Sequence, residues 1–154
     1  MIKIVVLKLA LVFSVLSVMV TPVFADGNYN SSSGSRLKPF HQMIEKQEFE
    51  QVIKELDAAL LDDPDDADLL NLLAYSHRNL QHYDIALEYY QKALQLEPKH
   101  RGANEYLGEL YLLLGQLEKA EQRLAILDKA CFFGCDEFDE LKQAIAEYRR
   151  KNPS

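Results

Sequence analysis

"DLLNLLAYSHRNLQHYDIALEYYQKALQLEPKH", Asp68 to His100, is the stretch that decides the fold. Its first half places Leu69, Leu70, Leu72, Leu73 and Tyr75 at the three- and four-residue spacing of one buried helix face. "NLQHYD", Asn79 to Asp84, interrupts that spacing. A second helical pattern runs from about Tyr83 to Leu96, with Ala86, Tyr90, Ala93 and Leu94 facing inward. Pro98 closes it, because proline lacks the amide a helix needs and restrains the residue before it. Asp65, Asp66 and Asp68 stand where the first helix should begin, and carboxylates there accept free amides and complement the helix dipole. The stretch therefore reads as a helix hairpin.

The same pattern recurs on both sides. Pro64 and Pro98 are 34 residues apart, and Phe49, Tyr83 and Leu117 keep that spacing. So do Val52, Ala86 and Ala120; Leu56, Tyr90 and Leu124; and Ala59, Ala93 and Leu127. Four aligned apolar columns at one period are the mark of a repeat architecture. The alanines have a packing reason: two helices approach closely only where one side chain is small, and a tyrosine beside the alanine fills the remaining gap. The third unit lacks the closing proline, with Phe132 in its place.

The repeated segment resembles the tetratricopeptide repeat. That family sets a large residue, Leu-Gly, Tyr, Gly, an aromatic, Ala, an aromatic, Ala and Pro at fixed positions. Here they fall on Leu70, Leu73-Ala74, His77, Gln81, Tyr83, Ala86, Tyr90, Ala93 and Pro98. Ala74, His77 and Gln81 depart from the pattern, and the next unit restores it with Leu107-Gly108, Tyr111, Gly115, Leu117 and Ala120. That unit departs at Asn104, Leu127 and Phe132. The resemblance covers residues 36–134 and is weakest in the first unit, whose opening helix is expected to be short and holds Pro39. "DEFDELKQAIAEYRRK", Asp136 to Lys151, follows as an amphipathic helix with Phe138, Leu141, Ile145 and Tyr148 on one face. It suits the capping that stacked repeats require at an apolar end.

The resemblance implies an all-α, right-handed solenoid of three hairpins and a capping helix that binds a protein or peptide. In the family the first helix of each pair lines a concave groove. The matching positions are Asn71, Tyr75, Arg78 and Asn79, then Glu105, Glu109, Leu112 and Leu113. The lysine- and asparagine-rich clamp by which some members hold a C-terminal carboxylate has no lysines here and meets Glu105 and Glu109 instead. The expectation is a helical or extended segment of basic character.

The N-terminus differs from the rest. Lys3 and Lys8 precede an apolar run from Leu9 that closes on Val23-Phe24-Ala25, the small-x-small pattern of a cleaved secretory signal. The expected units are a signal at 1–25, a flexible Ser- and Gly-rich leader at 26–35, repeat units at 36–66, 67–100 and 101–134, and a capping helix and tail at 135–154. The alternative for the first segment is an uncleaved anchor, the one way this chain would meet a membrane. The net charge is -7, and loss of Lys3 and Lys8 takes it to -9. Such acidity argues against nucleic acid and anionic membrane as partners. A bacterial periplasm, or secretion, is the expected location.

"LDKACFFGCDEF", Leu127 to Phe138, holds both cysteines. Helical spacing would set the Cα atoms of Cys131 and Cys135 about 6 Å apart, within disulfide range. An exported chain permits the bond. The preferred reading is a local disulfide replacing the missing proline; thiol-redox or metal handling by the same two residues is the alternative function. Redox motifs use C-x-x-C, and two thiols with no histidine near in sequence are too few for zinc. His41, His77, His82 and His100 show no ligand spacing. "LDDPDDAD", Leu61 to Asp68, lacks the central glycine and closing glutamate of a calcium loop. No nucleophile-and-base pair, phosphate loop or cofactor turn appears. The expectation is a non-enzymatic adaptor or scaffold without cofactor or metal, with a self-assembling structural module as a third possibility.

Overall fold

A computed structural model of the chain describes residues 29–153. Seven helices follow one another: α1 Tyr29–Glu45, α2 Phe49–Asp62, α3 Ala67–Asn79, α4 Tyr83–Leu96, α5 Arg101–Leu113, α6 Leu117–Ala130 and α7 Asp136–Lys151. Helices α1/α2, α3/α4 and α5/α6 pack as antiparallel pairs, and α7 lies against α5 and α6. Helix α3 also touches α1 and α5, so the first helices of successive pairs stack on one side. The architecture is the expected all-α solenoid with a capping helix.

The apolar columns form the core. Val52, Leu56, Ala86, Tyr90, Ala93, Ala120 and Leu127 are fully buried, while Leu124 is only partly so. Leu141 and Ile145 of α7 close the far end of the same core, and Phe138 packs beside them. The opening unit has its own cluster of Leu37, Val52, Leu56, Leu69, Leu72 and Leu73.

Repeat geometry extends to the turns. Gln47, Gln81 and Gly115 all have positive φ, at 60°, 62° and 72°, and follow one another at the 34-residue period. Each lies in the tight turn between the two helices of its pair, where the chain must enter left-handed space. Helix starts repeat as well. The Asp66 side chain caps α3 by accepting from the Leu69 amide at 3.1 Å, as its position in sequence suggested. One period later, His100 caps α5 through Nδ1, which accepts from the Ala103 amide at 3.1 Å. Asn104, out of pattern for the family, is buried and donates through Nδ2 to the carbonyls of Pro98 and His100, anchoring that turn.

The opening unit corrects an expectation. Helix α1 is not short, and residues 29–35 are helical, where a flexible leader was expected to run to Ser35. Pro39 sits inside α1, where it deletes only the bond to the Ser35 carbonyl. Both residues are exposed, so water can take that carbonyl. Leu37 before Pro39, and Phe40, Met43 and Ile44 after it, pack into the opening cluster and hold the helix on either side. The signal reading of residues 1–25 and the start of the leader lie outside the described residues. Among the described residues no helix is long and apolar enough to cross a membrane.

Candidate functional site

The first helices of the pairs present one continuous face, and a cleft of about 540 Å³ opens on it. Leu37 and His41 of α1, Asn71 and Leu72 of α3, Glu105 and Tyr106 of α5, and Glu137 of α7 line it. A smaller cleft of about 240 Å³, walled by His41, Ile44, Leu72, Tyr75 and Tyr106, adjoins it. The helical repeat brings these side chains together, since neighbouring first helices carry equivalent positions side by side.

Glu105 forms the floor. It is only 2% exposed, and its Oε1 has no hydrogen-bond partner. Beside it on the same cleft, Asn71 is 6% exposed with an unpartnered Oδ1. Unmade hydrogen bonds at buried polar atoms cost about 1–3 kcal/mol each. Burial pushes the Glu105 carboxyl up to about 9, helped by a hydrogen bond with Glu140 and by the charges of Glu140, Glu109 and Glu137. The shift favours the protonated form of Glu105 at neutral pH.

Arg78 joins the other groups. Its guanidinium bonds Glu109 at 2.6 Å, and its Cζ lies 5.3 Å and 5.4 Å from the ring centroids of Tyr75 and Tyr106. Those two rings are 4.9 Å apart. Burial opposes the Arg78 charge, but the oxygens of Tyr90 and Glu109 outweigh it and hold its pKa above the ordinary arginine value. Burial, then Glu105, raises the Tyr106 phenol to about 12. The cluster joins α3 to α5.

The eight expected groove residues are distributed unevenly. Asn71, Tyr75 and Glu105 line the clefts. Arg78 and Glu109 neutralise each other, so Glu109 is not a free acidic contact. Asn79 is exposed at the end of α3 and donates through Nδ2 to the Tyr75 carbonyl. Leu112 packs against the core, whereas Leu113 is 59% exposed. Leu37 and His41 were missed, although they precede Asn71 and Tyr75 by one period. Tyr106, one period after Leu72, lies outside those eight positions and walls both clefts, as its helical spacing among the tyrosines allows.

The histidines are closer than their spacing suggested. The turn after α3 brings His77 Nδ1 and His82 Nδ1 to 3.3 Å, and the His77 ring stacks on Tyr89. Burial, then His82, lowers the His77 pKa. His100 Nε2 contacts Asp68 Oδ1 at 3.1 Å, which ties the start of α5 to α3. Cys131 and Cys135 are paired, with Cα atoms 5.5 Å apart. With Glu137 they form the one group of three ligand-type side chains close enough to share an ion among the described residues, but two of the three are sulfurs already bonded together.

The tetratricopeptide-repeat family matches the chain twice, over residues 67–100 and 89–122. This is a tetratricopeptide-repeat protein. Solved structures of the same fold agree with that assignment. The tetratricopeptide-repeat domain of Sgt2 from Aspergillus fumigatus is 19% identical, with a TM-score of 0.66 over 78% of each chain. The Yersinia enterocolitica type III secretion chaperone SycD, in complex with a peptide of the translocator YopD, is 17% identical with a TM-score of 0.63, covering 82% of this chain and 95% of that one. The first tetratricopeptide repeat of Spaghetti (RPAP3), bound to an HSP90 peptide, is 16% identical with a TM-score of 0.62, covering 71% and 86%. No curated protein sequence matches the chain. At these identities the structural neighbours establish the shared fold of this tetratricopeptide-repeat protein.

Proposed function

We propose that this chain is a non-enzymatic adaptor of the bacterial cell envelope that holds a peptide segment of a partner protein on the face formed by α1, α3, α5 and α7. The observation that carries the reading is the double cleft on that face, with buried polar groups in one half and aromatic walls in the other. Pockets that combine apolar walls with a few placed polar groups are typical of ligand sites. Structures of the same fold hold peptides, namely SycD with a YopD segment and RPAP3 with an HSP90 segment.

Envelope location rests on residues 1–25, with their lysines, apolar run and Val23-Phe24-Ala25 closure. Export also gives the cysteines their role. The paired Cys131 and Cys135 join the end of α6 to the start of α7, where the repeat lacks its proline.

Fractionation followed by intact mass tests location and bond together. The expected product starts at Asp26, lies in the envelope fraction and gains no alkyl groups until reduced. A cytosolic chain with two free thiols would contradict this reading. Copurification tests the adaptor role. Tyr75→Ala with Arg78→Ala should release a partner that the unaltered protein retains, and retention of all partners by the variant would remove the groove from the account.

A further inference from the structure

We propose that the larger cleft is a socket for one lysine or arginine side chain of the bound segment, with the Glu105 carboxylate as counter-ion and Asn71 Oδ1 as second acceptor. This rests on the peptide-binding reading above and specifies its chemistry. The smaller cleft then takes an apolar side chain from the same segment.

Four observations support it. Glu105 Oε1 and Asn71 Oδ1 are two buried acceptors on one cleft, and neither has a donor. Two nearby cations are engaged elsewhere, Arg78 on Glu109 and Arg101 Nε at 3.7 Å from Glu137, while Lys99 lines the cleft and makes no bond to Glu105. His100 offers no proton to Glu105 either, since Nδ1 accepts from Ala103 and Nε2 meets Asp68. Finally, the two clefts share His41, Leu72 and Tyr106, so a basic and an apolar side chain close together in one segment fill both.

Without a cation beside it, burial favours the protonated Glu105, with Glu140 as its neighbour on α7. A cation entering at neutral pH favours the carboxylate, so the Glu105 proton leaves to solvent as the ion pair forms. Other titratable or charged groups around the cleft are His41 on α1, Asp68 on α3, Glu97, Lys99, His100 and Arg101 at the entry to α5, Glu109 on α5, and Glu137 on α7. Of these, Asp68 is held below the ordinary carboxylate range, first by its bond to His100. Glu105 is therefore the group expected to change charge on binding.

The test begins with selection of random 12-residue displayed peptides on the purified protein at pH 7.5. The selected peptides should share a lysine or arginine close to an apolar residue. Calorimetry of one such peptide in two buffers of different ionisation enthalpy should show close to one proton released per peptide bound. Replacing its basic residue by norleucine should weaken binding at least ~10-fold. Glu105→Gln, a near-isosteric change, should weaken the parent peptide similarly, abolish the proton release and leave the norleucine peptide unaffected. Selected peptides that lack a basic residue but lose binding on Tyr75→Ala would keep the groove and overturn the socket. Peptides indifferent to both Tyr75 and Glu105, in variants with intact helical melts, would overturn the groove reading as well. Spermidine binding with the same proton release, where no peptide is selected, would make the occupant a small polyamine and overturn the peptide socket.

Discussion

A Cβ built on Gly108 would stand 2.6 Å from Leu141 Cδ2. Helix α5 therefore meets the capping helix α7 at a point where a methyl group has no room. Gly108→Ala gains intrinsic helix propensity of up to about 1 kcal/mol but forces Leu141 from its site, and overpacking of this kind costs about 1–3 kcal/mol. A net loss of stability in urea denaturation is expected. Leu141→Ala, which opens the core at a cost of about 2–5 kcal/mol in the parent, should cost less in the Gly108→Ala background, and that coupling separates a steric clash from a backbone effect.

Gln47, Gln81 and Gly115 share one left-handed turn position, yet only the third is glycine. A non-glycine residue there pays about 1–2 kcal/mol in local strain. Gln81→Gly should therefore stabilise the protein by about 0.5–1 kcal/mol after the unfolded-state entropy of glycine is deducted. Gly115→Ala should destabilise it by about 1 kcal/mol. Thermal melts of both variants check the pair, and shifts of the same sign would contradict the turn assignment.

Glu105 makes stability depend on pH in an uncommon direction. Its carboxyl is raised in the folded chain to about 9 from an ordinary 4.5. Between those values the folded state holds a proton that the unfolded state has released, so this group's contribution falls as pH rises from 4.5 towards 9. Glu105→Gln should come close to the parent near pH 5 and exceed it by up to about 4 kcal/mol at pH 8. His77 acts oppositely: its depressed pKa removes stability as pH falls below 6.5. Comparing the parent with Glu105→Gln cancels the His77 contribution. A difference that does not change with pH would show that Glu105 titrates as an exposed carboxylate.

The caps repeat with a change of chemistry. Asp66 and His100 occupy equivalent positions and each accepts from the amide three residues on. His100→Ala should cost about 0.5–2 kcal/mol, in the range of a lost N-cap. His100→Asn should restore most of it, because a short amide can accept the same bond. Equal losses in both variants would assign the effect to the contact with Asp68 instead.

The periodic apolar columns made the hairpins legible before any coordinates, because each buried position recurs every 34 residues and signals the same packing. Asp66 was legible as a cap for the same reason of local chemistry. The cleft was only half legible. Asn71, Tyr75 and Glu105 follow from the family groove, but carrying the period back to Leu37 and His41 was needed to complete its wall. The pairing of Arg78 with Glu109 depends on the distance between α3 and α5, which no single-helix pattern encodes. Nor does periodicity report the fold of a turn, so the approach of His77 to His82 and the capping by His100 stayed hidden. Helix α1 was misjudged because Pro39 and the serines before it are weak helix formers, and the packing of Leu37 that offsets them is a tertiary effect.

The central claim is that a partner segment lies on the face formed by α1, α3, α5 and α7. The most direct measurement is photo-crosslinking in living cells from a benzophenone side chain placed at Tyr75, with the same probe at Leu61 as control. Tyr75 walls the smaller cleft, whereas Leu61 is exposed on α2, a second helix of its pair. The account predicts a discrete partner adduct from position 75 that is absent from position 61, with the attachment point in a segment carrying a basic and an apolar residue. Adducts from Leu61 but not from Tyr75, or none from either, would contradict it.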